Sequence, residues 1–75
     1  MAKKPVISNN IRRFRFDADE MTQKALAEKV GVTRQTIVAI EKAKYSPTLE
    51  LAFKISRVFH KRLEEVFTFE EPGDD

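Results

Sequence analysis

The sequence predicts an all-α fold built from five short helices in one small domain. Three observations carry this expectation. Gly and Pro are scarce, two and three in 75 residues, and β-branched residues do not cluster in alternating runs. Threonines at positions 22, 33 and 48 each precede a segment with apolar residues at helical spacing. Gly31 stands between two such segments, with only a few residues to turn the chain.

In chain order, residues 1–7 read as a flexible basic arm carrying Lys3 and Lys4. Ser8 to Asn10 offers side-chain oxygens that can cap a first helix, on which Ile11 and Phe14 share a face. Asp17 to Glu20 interrupts the apolar pattern and reads as a loop. Thr22 caps a second helix with Ala25, Leu26 and Val30 as its apolar positions, and Gly31 ends it. Thr33 caps a third, with Ile37 and Ile40 facing the core. Two short helices joined by about three residues around a glycine have the form of a helix-turn-helix. Ala27 is small enough for the two backbones to approach, and Val32, Ile37 and Ile40 anchor the later helix from below.

Ser46-Pro47-Thr48 stops the third helix and caps a fourth, since the residue before Pro is driven out of the helical region. Residues 49–59 are apolar at seven of eleven positions, too many for a helix with one buried face. That helix is expected to be central to the domain or to bury a second face in a partner. Leu63, Val66 and Phe67 mark a short fifth helix, and residues 68–75 read as an acidic tail with Pro72-Gly73. The domain proper is therefore expected over 8–67.

Composition narrows the function. A chain of this size buries only about 60% of the surface its unfolded form exposes, which leaves little room for a catalytic cleft. The absence of Cys excludes a disulfide scaffold, a thiolate zinc site and a Cys nucleophile. The single His60, with Glu64 one turn on, does not supply a metal-ligand set. Ser8, Ser46 and Ser56 have no base at a recognisable spacing. No cofactor, no metal, no small-molecule substrate and no enzymatic activity are expected. No apolar run approaches a membrane span and no leader-like stretch follows Lys3-Lys4, so no membrane partner and a cytoplasmic location are expected.

Charge is distributed unevenly. Residues 1–48 hold ten Lys/Arg against five Asp/Glu, whereas 49–75 hold four against seven. A basic first part with an acidic end points to a polyanionic partner for the former. On the third helix the outward positions are Arg34, Gln35, Val38, Ala39 and Lys42. Arg and Gln are the side chains suited to bidentate hydrogen bonds with guanine and adenine edges in the major groove. Gln23, Thr33, Lys44 and Tyr45 lie at helix N-termini and in the following loop, where a phosphate backbone would pass.

The residues that carry a family resemblance are Thr22-Gln23, Leu26-Ala27, the run Val30-Gly31-Val32-Thr33-Arg34-Gln35-Thr36-Ile37, Ile40-Glu41, Lys44-Tyr45-Ser46-Pro47, and LELAFKISRVF followed by LEEVF. Together they resemble the XRE family of transcriptional regulators, whose domain is shared with phage Cro and lambda-type repressors, over about Asn10 to Phe67. The resemblance implies a five-helix lambda-repressor-like domain, with the helix-turn-helix formed by helices 2 and 3 and the third helix in the DNA major groove. Arg34, Gln35, Val38 and Ala39 then match base-contacting positions. Thr22, Gln23, Thr33, Lys42, Lys44 and Tyr45 match phosphate-contacting ones. Arg15 and Glu41 match an internal ion pair between the first and third helices.

Three departures from the family pattern stand out. One residue is extra between Arg15 and Met21, Ala43 stands where relatives often carry Gly, and His60-Lys61-Arg62 replaces a Gly-containing connection. Ala43 is expected to strain its turn, whereas His tolerates positive φ better than most residues.

The function expected is a sequence-specific DNA-binding regulator, a repressor, acting as a homodimer on a pseudo-palindromic operator of double-stranded DNA. Leu51, Ile55, Val58, Phe67 and Phe69 are the candidate dimer interface. The alternative is an antitoxin-like or adaptor protein whose main partner is another protein.

Overall fold

In a computed structural model the chain is described over residues 6–71. The expectations for Lys3-Lys4 and for Pro72-Gly73 lie outside the described residues. The elements run β1 (Val6–Asn9), α1 (Ile11–Asp17), α2 (Gln23–Val30), α3 (Arg34–Glu41), α4 (Leu49–Val58), α5 (Leu63–Val66) and β2 (Phe67–Glu70).

Three helices start where a threonine supplies an acceptor for an otherwise orphaned backbone donor. Thr22 Oγ1 accepts from Ala25 N–H at 2.9 Å, Thr33 Oγ1 from Thr36 N–H at 3.3 Å, and Thr48 Oγ1 from Leu51 N–H at 3.2 Å. Gly31 ends α2 in the left-handed region, φ 78°, and its N–H donates to the Ala27 carbonyl at 2.9 Å. The next N–H, from Val32, reaches the same carbonyl at 3.0 Å, so the corner between α2 and α3 closes in three residues.

The core joins all five helices. Ile11, Leu26, Ile37, Ile40, Ile55 and Val66 are its fully buried large side chains, and Ala27 is buried at the α2–α3 crossing. Helix α4 is central: Leu51, Ala52, Ile55 and Ser56 are all buried, and Ser56 Oγ donates to the Ala52 carbonyl at 2.9 Å. This placement corrects the expected dimer interface. Ile55 is fully buried and Leu51 and Phe67 nearly so in the protomer's own core, so they offer a partner little surface. The apolar surplus of α4 falls instead on Leu49, 66% exposed, and Phe53, 48% exposed, one turn apart. Val58 is half-buried against the core, and Phe69 is exposed.

The strand pair is an addition to the expected helices. β1 and β2 run antiparallel with Val6 opposite Glu70, Ile7 opposite Phe69, Ser8 opposite Thr68 and Asn9 opposite Phe67. Residues 6–7, expected in the arm, and 68–70, expected in the tail, are therefore strand. Ser8 Oγ donates to the Glu70 carboxylate across the ladder. The alternation Phe-Thr-Phe-Glu has the period of a strand, but four residues are short for a periodic signal, and the partner lies at the other end of the chain.

The pair also changes how α1 begins. Asn10 occupies the N-cap position without capping through its side chain. Asn9 Oδ1 accepts from Ile11 N–H at 3.1 Å instead, while Asn9 Nδ2 donates to the Ile40 carbonyl at 2.8 Å. Asn10 donates from its backbone to Val66 O at 2.9 Å and from Nδ2 to Glu65 O at 3.2 Å, satisfying carbonyls that α5 leaves open. Asparagines that read as caps thus fasten β1 to α3 and α5.

Four non-glycine residues have positive φ: Asp19 at 61°, Glu20 at 55°, Ala43 at 59° and His60 at 55°. The first two lie in the connection between α1 and α2. The left-handed region costs an L-residue about 1–2 kcal/mol. Asp is better suited to it than a β-branched residue, but Ala43 has no polar side chain to offset the strain. Replacing Ala43 by Gly is expected to stabilise the fold by about 0.5–1 kcal/mol after glycine's extra unfolded-state freedom is subtracted. The melting temperature should rise by roughly 2–8 °C in a thermal unfolding scan; an unchanged or lower value would show that the turn is relaxed.

Candidate nucleic-acid interface

Helix α3 displays two faces. Ile37 and Ile40 are buried, while Arg34, Gln35 and Lys42 are exposed and Val38 and Ala39 half-buried. Positions 34, 35, 38, 39 and 42 follow helical spacing and form one outward stripe. Its first turn is held by the Thr33 cap, and Thr33 and Thr36 hydroxyls are 3.1 Å apart. Arg34 and Gln35 thus project from the capped start of a helix whose other face is locked into the core.

An open groove of about 660 Å³ runs along this stripe between α1, α2 and α3. Thr22, Gln23, Arg34, Val38 and Lys42 line it, together with Arg12 and Lys24, over a base that includes Asn9, Arg15 and Glu41. Arg15 Nε donates to Glu41 Oε2 at 2.7 Å and Arg15 Nη2 to Oε1 at 3.2 Å, a bidentate pair with both side chains at most 15% exposed. Gln23 Nε2 donates to the same Oε1 at 3.2 Å. Arg15 Nη1 donates to the Met21 carbonyl at 2.8 Å, fixing the end of the α1–α2 loop. One carboxylate therefore ties together α1, α2 and α3, and Arg15 extends the junction to the loop.

The expected site residues divide by position. Thr22, Gln23, Arg34, Val38 and Lys42 meet in the groove. Gln35 and Ala39 continue the α3 stripe beside it. Thr33 is exposed at the start of α3. Lys44 and Tyr45 follow α3 in an exposed loop, and Tyr45 lines a separate depression with Gly31, Thr36 and Thr48. Thr22 and Thr33 spend oxygen lone pairs on capping, and Gln23 retains a second amide N–H after its bond to Glu41. Sequence reasoning missed Arg12 and Lys24 as groove residues. A signal existed for Arg12, which lies three residues before Arg15 and so on the same helix face.

Among the described residues, no group of three or more His, Asp or Glu side chains is placed to hold a metal ion. None of the described helices is long and apolar enough to cross a membrane.

A family model described as helix-turn-helix matches residues 12–66. A relative from Archaeoglobus fulgidus, named as an uncharacterized HTH-type transcriptional regulator, is 56% identical over 61 residues, covering 81% of this chain and 86% of that protein. One from Methanocaldococcus jannaschii, with the same description, is 46% identical over 65 residues, 87% of this chain and 97% of its own length. A Bacillus subtilis relative so described is 54% identical over 50 residues, 67% of this chain and 76% of that one. A crystal structure from Bacteroides fragilis superposes with a TM-score of 0.72 at 21% identity, covering 83% of this chain and 98% of that one. At that identity the likeness concerns the fold alone.

The Glu41 junction yields a stability prediction. Glu41→Ala leaves the Arg15 and Gln23 donors facing a poorly solvated gap and should cost about 2–3 kcal/mol, somewhat below the loss for a fully buried pair. Urea denaturation should show a lower midpoint with an unchanged slope. The Arg15→Ala/Glu41→Ala double variant should lose less than the two single losses combined.

Proposed function

The chain belongs to the XRE-type helix-turn-helix family of DNA-binding transcriptional regulators, and on that premise we propose that it is a cytoplasmic repressor that binds a pseudo-palindromic operator as a homodimer, through the major groove. The observation that carries this reading is the exposed α3 stripe, Arg34 and Gln35 foremost, on a helix locked from behind by Ile37 and Ile40. A rigid helix with Arg and Gln at its start is the arrangement that reads base edges. Val38 and Ala39 complete the base-facing surface. Thr22, Gln23, Thr33, Lys42, Lys44 and Tyr45 meet the phosphates around it.

One recognition helix reads a handful of base pairs, too few for a unique site. Two-fold pairing doubles the reading, with recognition helices about 34 Å apart on one face of the duplex. What supports a dimer here is that large apolar side chains remain on the surface, among them Phe69, 60% exposed, and Leu49 and Phe53 on α4. Val58 and Phe69 are the remaining members of the interface drawn from sequence.

The test is selection of bound sequences from a random DNA pool, followed by mobility shifts on the selected operator. Arg34→Ala should weaken binding to that operator by roughly 1–3 kcal/mol and relax the preference at one base position. Equal weakening on every sequence would remove Arg34 from the base-reading set. Phe69→Glu should shift the mass measured by sedimentation equilibrium toward the monomer and abolish the preference for two half-sites over one. A variant that remains dimeric would exclude Phe69 from the interface.

A further inference from the structure

Arg12 on α1 and Lys24 on α2 have no role in the reading above, yet both are exposed and both line the groove along which α3 presents Arg34, Val38 and Lys42. We propose that Arg12 and Lys24 grip the phosphodiester backbone at the α1–α2 wall of the groove, adding sequence-independent contacts beside those of α3. This inference rests on the DNA-binding reading and deepens it.

The groove's charge balance carries the proposal. Besides Arg15, four cations line one concavity: Arg12, Lys24, Arg34 and Lys42. The only carboxylate lining it is Glu41, whose charge is already matched by Arg15 at 2.7 Å. Among the described residues none of the four makes an ion pair, whereas Lys54, outside the groove, is paired with Glu50 at 3.1 Å. Like charges facing one another across a concave surface repel until a polyanion enters, and low-dielectric walls concentrate their field there. The phosphodiester backbone supplies anions at regular intervals along such a groove.

Placement makes Arg12 more than a general attraction. It lies one turn before Arg15, whose guanidinium is fixed by Glu41 and by the Met21 carbonyl. Lys24 follows Gln23, which is fixed by the same carboxylate. The Glu41 junction therefore holds the backbone segments that carry both cations at a set distance from α3. Neither side chain is needed to read a base, so their contribution is independent of DNA sequence.

The test compares charge-neutralising variants in the full chain. R12Q and K24Q remove a groove cation each. R13Q and K29Q remove an exposed cation outside the groove, from the same helices, and so control for net charge. Binding to the selected operator and to a random duplex is measured across a salt series. R12Q and K24Q are each expected to lower the slope of log affinity against log salt by about one, with equal weakening on both duplexes. R12K is expected to keep the wild-type slope. R13Q and K29Q should change the slope little, and thermal unfolding should confirm that all five variants fold. If the wild type binds the operator and R12Q and K24Q match their controls, the phosphate-gripping role is overturned while DNA binding stands. If the wild type binds no duplex, both readings fall together.

Discussion

The Glu41 carboxylate is the constraint on which the arrangement of α1, α2 and α3 depends. It lies at the end of α3, largely shielded from water, and accepts three hydrogen bonds from α1 and α2. A shielded carboxylate is costly unless its oxygens are occupied, so the three helices come together around it or the site is destabilised. Apolar packing alone allows helices to slide by small amounts, because dispersion contacts have little direction. A bidentate guanidinium–carboxylate pair has a preferred plane and distance. It therefore fixes the angle of α3 relative to α1 more tightly than apolar packing alone.

The same junction has an electrostatic consequence. An acidic residue beneath a DNA-binding groove would oppose a polyanion if its charge were free. Here Arg15 matches it, so the groove keeps the surplus positive charge of its rim. The internal pair and the groove rim draw on separate arginines. Arg15 is consumed internally, while Arg34 and Arg12 remain on the surface, and the two tasks do not compete for one side chain.

Strain and closure complete the fold. The left-handed residues Asp19, Glu20, Ala43 and His60 all lie between helices, where short connections need a sharp change of direction. They persist because the helices on either side are capped and packed, which over-determines the turn. The β1–β2 ladder closes the structure at the other end. A two-stranded ladder of this length is not stable by itself. It forms here because Asn9 and Asn10 bind the backbones of α3 and α5, and because Phe67 enters the core.

What the sequence determined by itself is local and repetitive. Thr22, Thr33 and Thr48 start helices because a hydroxyl next to an exposed N–H acts over three residues, and Gly31 ends one because only backbone freedom is required. The family resemblance, resting on a long run of residues around that corner, supplied the expectation of the Arg15–Glu41 pair. Only the tertiary structure decided the rest. The ladder between residues 6–9 and 67–70 is a pairing across the whole chain, to which no local periodicity is sensitive. Leu51 and Ile55 looked like surplus because α4 is apolar over most of its circumference. Which part faces inward depends on where the other four helices lie. Arg12 and Lys24 are ordinary surface cations in sequence, and only the convergence of three helices puts them on one groove with α3.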